Sequence, residues 1–284
     1  MRAPPPRARL GGRGADLTAR SPARTATVLD VTDPRDAADA PLPLTGERTV
    51  PGIAEENYWF RRHEVVYLEL LERCRDAVVV DAGFGEGYGA AQIAGVARRV
   101  IGVDYDAPAV AHVARRYPEV AAVRGNLATL PLADSSTDVV VNLQVIEHLW
   151  DQTAFLDEVF RVLRPGGKLL ISTPNRITFS PGRDTPLNPF HTRELSAAEL
   201  TELLETSGFT VDRMLGVHHG PALAAMDARH GGSLIDAQIS LAVAGRPWPA
   251  ELTADVAAVR AEDFTLTEDD IDASLDLYAI AERP

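Results

Sequence analysis

The sequence holds one cysteine, Cys74, in 284 residues, which excludes an intramolecular disulfide and any cysteine-based metal cluster. That usage fits a reducing compartment, and the expected location is the cytoplasm. No run approaches the roughly 18 apolar residues of a spanning helix and none has a signal peptide's apolar centre, so no membrane span is expected. Lysine is as scarce as cysteine: Lys168 stands alone. This points to a GC-rich coding sequence rather than to chemistry. Positive charge is short overall. The net charge is −13, and the first 25 residues mask part of the deficit with six arginines against one acid, Asp16. The remainder carries 22 basic and 40 acidic residues. A body of that sign repels a phosphate backbone, so nucleic acid is not expected as substrate.

What is present is an apolar content of 45%, enough for a large core. Residues 1–40, built from Pro, Gly, Ala and Arg, cannot pack and are expected to be a disordered tail. Residues 41–284 read as one domain. A helix is expected over 55–75, with Val66, Leu70 and Leu71 at helical spacing. Apolar runs at 77–81, 100–104, 120–124, 138–143 and 168–173 read as strands, separated by helices at 88–97, 107–117 and 153–163. That alternation implies right-handed crossovers and a parallel sheet. Arg164-Pro165-Gly166-Gly167 reads as the turn into the fifth strand. Ser196 to Glu199 is a capping box before another helix, with strands expected at 209–215 and 274–281. Between these last two strands, 216–273 is rich in helix formers and reads as a helical insertion over the site.

The stretch "DAGFGEGYG", residues 81–89, follows the first strand. A dinucleotide turn has the spacing G-x-G-x-x-G, with its third glycine packing the helix beneath a pyrophosphate. Here Gly83, Gly85 and Gly87 alternate strictly after Asp81. About 20 residues on, Asp104 ends the second strand, where a carboxylate can accept from both ribose hydroxyls, and Tyr105 beside it can lie against a purine. Asn126 and Leu127 follow the third strand. The fourth ends in "NLQVIEHL", residues 142–149. In order and spacing these pieces resemble class I S-adenosylmethionine-dependent methyltransferases. The resemblance implies a Rossmann-like seven-stranded sheet, mostly parallel with an antiparallel final strand, and helices on both faces. It also implies S-adenosylmethionine as cofactor, bound by Asp81, Gly83, Phe84, Gly85, Gly87, Asp104, Tyr105, Asn126, Leu127 and Gln144.

Methyl transfer is an in-line displacement, so alignment and removal of the acceptor's proton are what the protein must supply. His148 is the candidate base, since histidine is the side chain suited to proton removal near neutrality. Glu147 is the candidate to orient it, with Asp151 as a further possibility if the segment is helical. Residues 175–194 form a long loop whose Asn175, Arg176, His191 and Glu194 are candidates to bind the acceptor, and Trp59 is a candidate wall of the pocket. His63 reads as a packed helix residue. His218, His219, His230, Asp227 and Asp236 lack recognised ligand spacing and read as solvated, so no metal site is expected. Taken as whole stretches, "NLQVIEHLWDQ", "STPNRITFSPGRDTPLNPFHTREL" and "MDARHGGSLIDAQI" look like mycobacterial-type methyltransferases associated with polymethylated polysaccharide synthesis. That implies O-methylation of a sugar or oligosaccharide. The residues alone leave open a quinone, a polyketide hydroxyl or another small molecule, and equally a donor-binding protein without activity.

Overall fold

The computed structural model describes residues 48–284, so the tail expected over 1–40 lies outside the described residues. The chain begins with α1 (Asn57–Cys74), then alternates β1 (Val78–Ala82), α2 (Tyr88–Ala94), β2 (Arg99–Asp104), α3 (Ala107–Arg116), β3 (Val120–Arg124), β4 (Thr137–Leu143), α4 (Gln152–Val162) and β5 (Leu163–Pro174). A short α5 (Arg176–Phe179), α6 (Ala197–Thr206) and β6 (Thr210–His219) follow. Next come α7 (Pro221–Arg229), α8 (Leu234–Val243), α9 (Ala250–Ala258), β7 (Phe264–Thr267) and β8 (Asp276–Glu282).

The strands form one sheet in the order β3-β2-β1-β4-β5-β8-β6-β7. The first five are parallel. The chain's last strand inserts between β5 and β6, antiparallel to both. Alternate residues of the central strands point to opposite faces, and both faces are apolar. Val79, Val141, Leu170 and Ile280 join α1 to α3 in one core, whereas Val80, Val140, Leu169 and Ala279 join α4 and α6 in the other. The strand order reverses between β1 and β4, the switch point at whose carboxyl ends open α/β sheets bind ligands.

Three expectations are corrected. The sheet has eight strands among the described residues rather than seven; the addition, β7, is a four-residue edge strand paired with β6. It lies inside the segment read as wholly helical and is too short to show against its helix-forming flanks. That segment also does not cover the site. Leu223, Leu234, Leu252 and Val256 of α7 to α9 share a core with Val66 and Leu70 of α1. The Asn57 amide, at the start of α1, donates to the carbonyls of Val256, Ala257 and Val259 and closes the end of α9. The Arg164 to Gly167 stretch lies within β5 as an irregularity, with Gly166 at φ +76°.

Candidate active site

A cleft of about 840 Å³ lies at the carboxyl ends of β1 to β4. Its inner wall is the loop after β1. Gly83 and Gly87 have φ of +90° and +94°, and a Cβ at either would come within 2.6 Å or less of Val145 or Val113. Gly85, at φ +56°, differs: a Cβ there meets nothing nearer than Arg48, 3.9 Å away. The first and third glycines are therefore required by packing, and the middle one leaves space beside the cleft it lines.

Asp104 is fixed by two backbone donors, Gly85 at 3.0 Å and Asp106 at 2.9 Å. Burial raises its pKa, although both donors oppose the shift. Asp81 lies at the end of β1, 1% exposed, and neither of its carboxylate oxygens has a hydrogen-bond partner. Burial, with the Asp104 charge adding to it, pushes its pKa up to about 7. Its carboxylate lies beneath the glycine loop and does not itself line the cleft, and a buried carboxylate with neither oxygen bonded is short of a donor or a cation. Tyr105, Asn126, Leu127 and Gln144 all line the cleft, as does Phe84. Asn126 already accepts from the Ala128 amide. The Gln144 amide donates to Ser172, and its backbone sits at φ +57°, a strained conformation that turns the chain out of β4. Arg48 closes one side by pairing with Asp106 at 2.7 Å.

Beyond Gln144 a 3₁₀ turn, residues 146–148, carries Glu147 and His148. Glu147 is 1% exposed and accepts from the Thr173 hydroxyl at 2.8 Å; burial raises its pKa. The carbonyl of Glu147 accepts from the Thr192 amide and hydroxyl, which pins the distant loop to the end of β4. That bond brings His191 to His148, ring centroids 4.9 Å apart and nearly perpendicular. His148 Nδ1 lies 3.1 Å from the Phe190 carbonyl. A carbonyl only accepts, so Nδ1 carries the hydrogen and a neutral ring has its lone pair on Nε2, 4.0 Å from Glu147 Oε1. His191 Nδ1 is 2.7 Å from the buried carboxylate of Glu194.

The structure separates the remaining sequence candidates. Asp151 lines the cleft and caps α4 by accepting from Ala154. Asn175 is 0% exposed and holds the turn at Ile271 to Ser274 through its amide, so it stands outside the cleft. Arg176 pairs with Glu199 beside a separate small pocket. Trp59 packs edge-on to Tyr58 under the Arg62 guanidinium and does not line the cleft. Glu194 reaches the cleft only through His191. His219 is not solvated: it bridges the Tyr58 hydroxyl and Asp227, each at 2.6 Å, and His230 pairs with Asp255.

His63, read from the sequence as a packed helix residue, sits on α1 and also lines the cleft, and burial pulls its pKa down to about 4. It shares a helix face with Val66 and Leu70, and that apolar face concealed its place in the cleft. Sequence reasoning missed Trp150; it lines the cleft mouth at 94% exposure. An apolar aromatic left in water beside a pocket is a signal only structure supplies.

An open, mostly parallel α/β sheet with a glycine loop, a strand-end acid and a Glu-His-His cluster at its switch point defines a Rossmann-like ligand-binding fold. Residues 80–171 match the methyltransferase-domain family. A probable S-adenosylmethionine-dependent methyltransferase of Mycolicibacterium smegmatis is 69% identical over 255 residues, covering 89% of this chain and 99% of that one. One of Mycobacterium tuberculosis is 64% identical over 252 residues, covering 87% and 92%. Among solved structures, an S-adenosylmethionine-dependent methyltransferase of Mesorhizobium loti aligns at a TM-score of 0.50 and 19% identity, covering 82% of this chain and 99% of that one. The [4+2]-cyclase SpnF aligns at 0.51 and 20% identity, covering 76% and 79%. These two share the fold alone, and the cyclase shows that the fold does not fix the reaction. The chain belongs to the S-adenosylmethionine-dependent methyltransferases, and S-adenosylmethionine is its cofactor. When bound, the cofactor supplies an electrophilic methyl group on a sulfonium.

Proposed function

We propose that the enzyme methylates a hydroxyl oxygen of a sugar or oligosaccharide in cytoplasmic polysaccharide synthesis. The observation that carries this reading is the cleft's size and lining. At about 840 Å³ it lies high in the range of roughly 300–1,000 Å³ typical of ligand pockets, which leaves room for an acceptor beside the donor. Arg48 is the only Arg or Lys lining it among the described residues, and it is already paired, whereas Glu86, Asp104 and Asp151 are acidic. This suits neutral hydroxyls and opposes phosphates and nucleic acid. The exposed faces of Trp150 and Phe190 at the mouth suit the apolar face of a sugar ring.

Asp81, Asp104 and the loop from Gly83 to Gly87 hold the donor in this reading, with Tyr105, Asn126, Leu127 and Gln144 around it. The acceptor sits against His148 and His191. The free lone pair of His148 Nε2 serves the acceptor's O–H group, the Phe190 carbonyl orients the ring through Nδ1, and the Glu147 carboxylate, 4.0 Å from Nε2, stabilises the ring once it has taken the proton. His148→Ala is expected to slow single-turnover transfer by about 100- to 10,000-fold while leaving affinity for S-adenosylhomocysteine nearly intact. The acceptor is tested with labelled donor and a panel of mannosides, glucosides, partly methylated oligosaccharides and catechols. Turnover confined to catechols would overturn the sugar reading and leave methyl transfer standing.

A further inference from the structure

Glu147, His148 and His191 each place one ligand-type atom within 4.8 Å of the others. Two imidazoles and one carboxylate on one side of a space is a recurrent divalent-cation ligand set, and it leaves positions open for substrate. Each of the three has an outer partner that fixes it. His148 is held through Nδ1 by the Phe190 carbonyl, His191 through Nδ1 by the Glu194 carboxylate, and Glu147 through Oε2 by the Thr173 hydroxyl. Outer partners of this kind set the tautomer and orient ligands toward a metal. Glu194, which reaches the cleft only through His191, has no other evident use there. The remaining nitrogen of His191 meets only the neutral Asn188 amide, at 3.0 Å.

We propose that this cluster binds one divalent transition-metal cation, which chelates two adjacent oxygens of the acceptor; the acceptor part rests on the reading of the cleft as a hydroxyl methyltransferase site. Imidazole ligands favour Mn²⁺, Co²⁺ or Zn²⁺ over Ca²⁺. His148 Nε2 and Glu147 Oε1 are 4.0 Å apart, wider than the ~3 Å that two adjacent ligands at about 2.1 Å from one ion span, so the side chains draw in on binding. The ion displaces the Asn188 amide from His191. With the ion bound, the His148 Nε2 lone pair is a ligand and no longer the base, and the acceptor oxygen becomes acidic enough to lose its proton to solvent. The freed oxygen pair forms the bond to the methyl carbon, and the carbon–sulfur pair stays on sulfur. Exposed Trp150 and Phe190 flank the side from which a diol-bearing ring enters.

The full chain, stripped with a chelator, is titrated with Co²⁺ and followed by visible absorption, and with Mn²⁺ by calorimetry. One ion per chain is expected. His191→Ala and Glu147→Gln should each weaken it by about 100-fold or more, and Glu194→Gln by about 10- to 100-fold. His230→Ala, outside the cleft, should change nothing. Thermal unfolding and S-adenosylhomocysteine binding establish that the variants are folded. An acceptor with adjacent hydroxyls should shift the Co²⁺ spectrum and its deoxy analogue should not. Co²⁺ binding indifferent to both His191→Ala and Glu147→Gln, or undiminished transfer by the stripped enzyme, overturns the cation site without touching methyl transfer. Cation binding that follows the variants, with no sugar turned over, instead removes the sugar acceptor and keeps the site.

Discussion

Asp81 is the residue whose chemistry is least balanced in the ligand-free protein. Its pKa, pushed up to about 7, means that the folded state holds the proton more tightly than the unfolded chain does. Its contribution to stability is thus full below the ordinary aspartate range of about 4 and is lost as pH rises to about 7. Urea unfolding of ligand-free protein between pH 4.5 and 7.5 should show this fall. Asp81→Asn should flatten it, raise stability at pH 7.5 by roughly 2–4 kcal/mol, and weaken S-adenosylhomocysteine binding. Gly85→Val strains φ +56° and fills the space beside the cleft, so donor binding should fall sharply by calorimetry; Asp104→Ala should cost on the order of 2–4 kcal/mol. At this scale the glycine loop and the acid beside it were legible because their signals are local: glycines in alternation, then an acid at a strand end. The acceptor side was not. Asn175 has the composition of a binding residue, yet its amide is consumed by the turn at Ile271 to Ser274, far along the chain. His191 meets His148 only because Thr192 bonds the Glu147 carbonyl, a contact no spacing announces.

Between elements, the join that matters most is between α1 and β8. Arg62 is buried and donates to both oxygens of Asp276 at 2.5 and 2.6 Å, and further to the Leu275 carbonyl. Desolvation opposes the Arg62 charge, but Asp276 outweighs it and holds the guanidinium's pKa above its usual value. Removing one partner leaves the other charge buried and alone. Asp276→Asn should therefore destabilise by about 3–5 kcal/mol in denaturant unfolding, whereas exchanging both partners for apolar residues should cost far less. The helices and central strands were readable from periodicity to within a few residues. The packing partner of α7 to α9 was not, because an amphipathic segment declares that it has an apolar face without declaring what covers it. Hence the insertion was expected over the cleft and packs on α1 instead.

Across the whole molecule, binding of donor or product to the folded form alone should shift the unfolding equilibrium. At a concentration about 100 times Kd, S-adenosylhomocysteine should add about 2.7 kcal/mol, raising Tm by roughly 5–10 °C for a domain of this size. A shift absent in Gly85→Val and present in His148→Ala would separate the donor and acceptor ends of the cleft. Sheet order could not be read from strand spacing alone, since the chain's last strand enters between two earlier ones.

Lys168 sits within β5 opposite Val139 near the start of β4, at the end of the sheet away from the cleft, paired with Asp212 and Glu282. Burial works against its charge, but the two carboxylates prevail and raise its pKa, which keeps the amine protonated and slow to react. The terminal amine aside, a reagent that acylates amines has only this address on the protein. Once the terminal amine is blocked, a fluorophore or surface tether attached there under forcing conditions would report on the molecule from the side opposite its cleft, so an immobilised enzyme would present the cleft to solution.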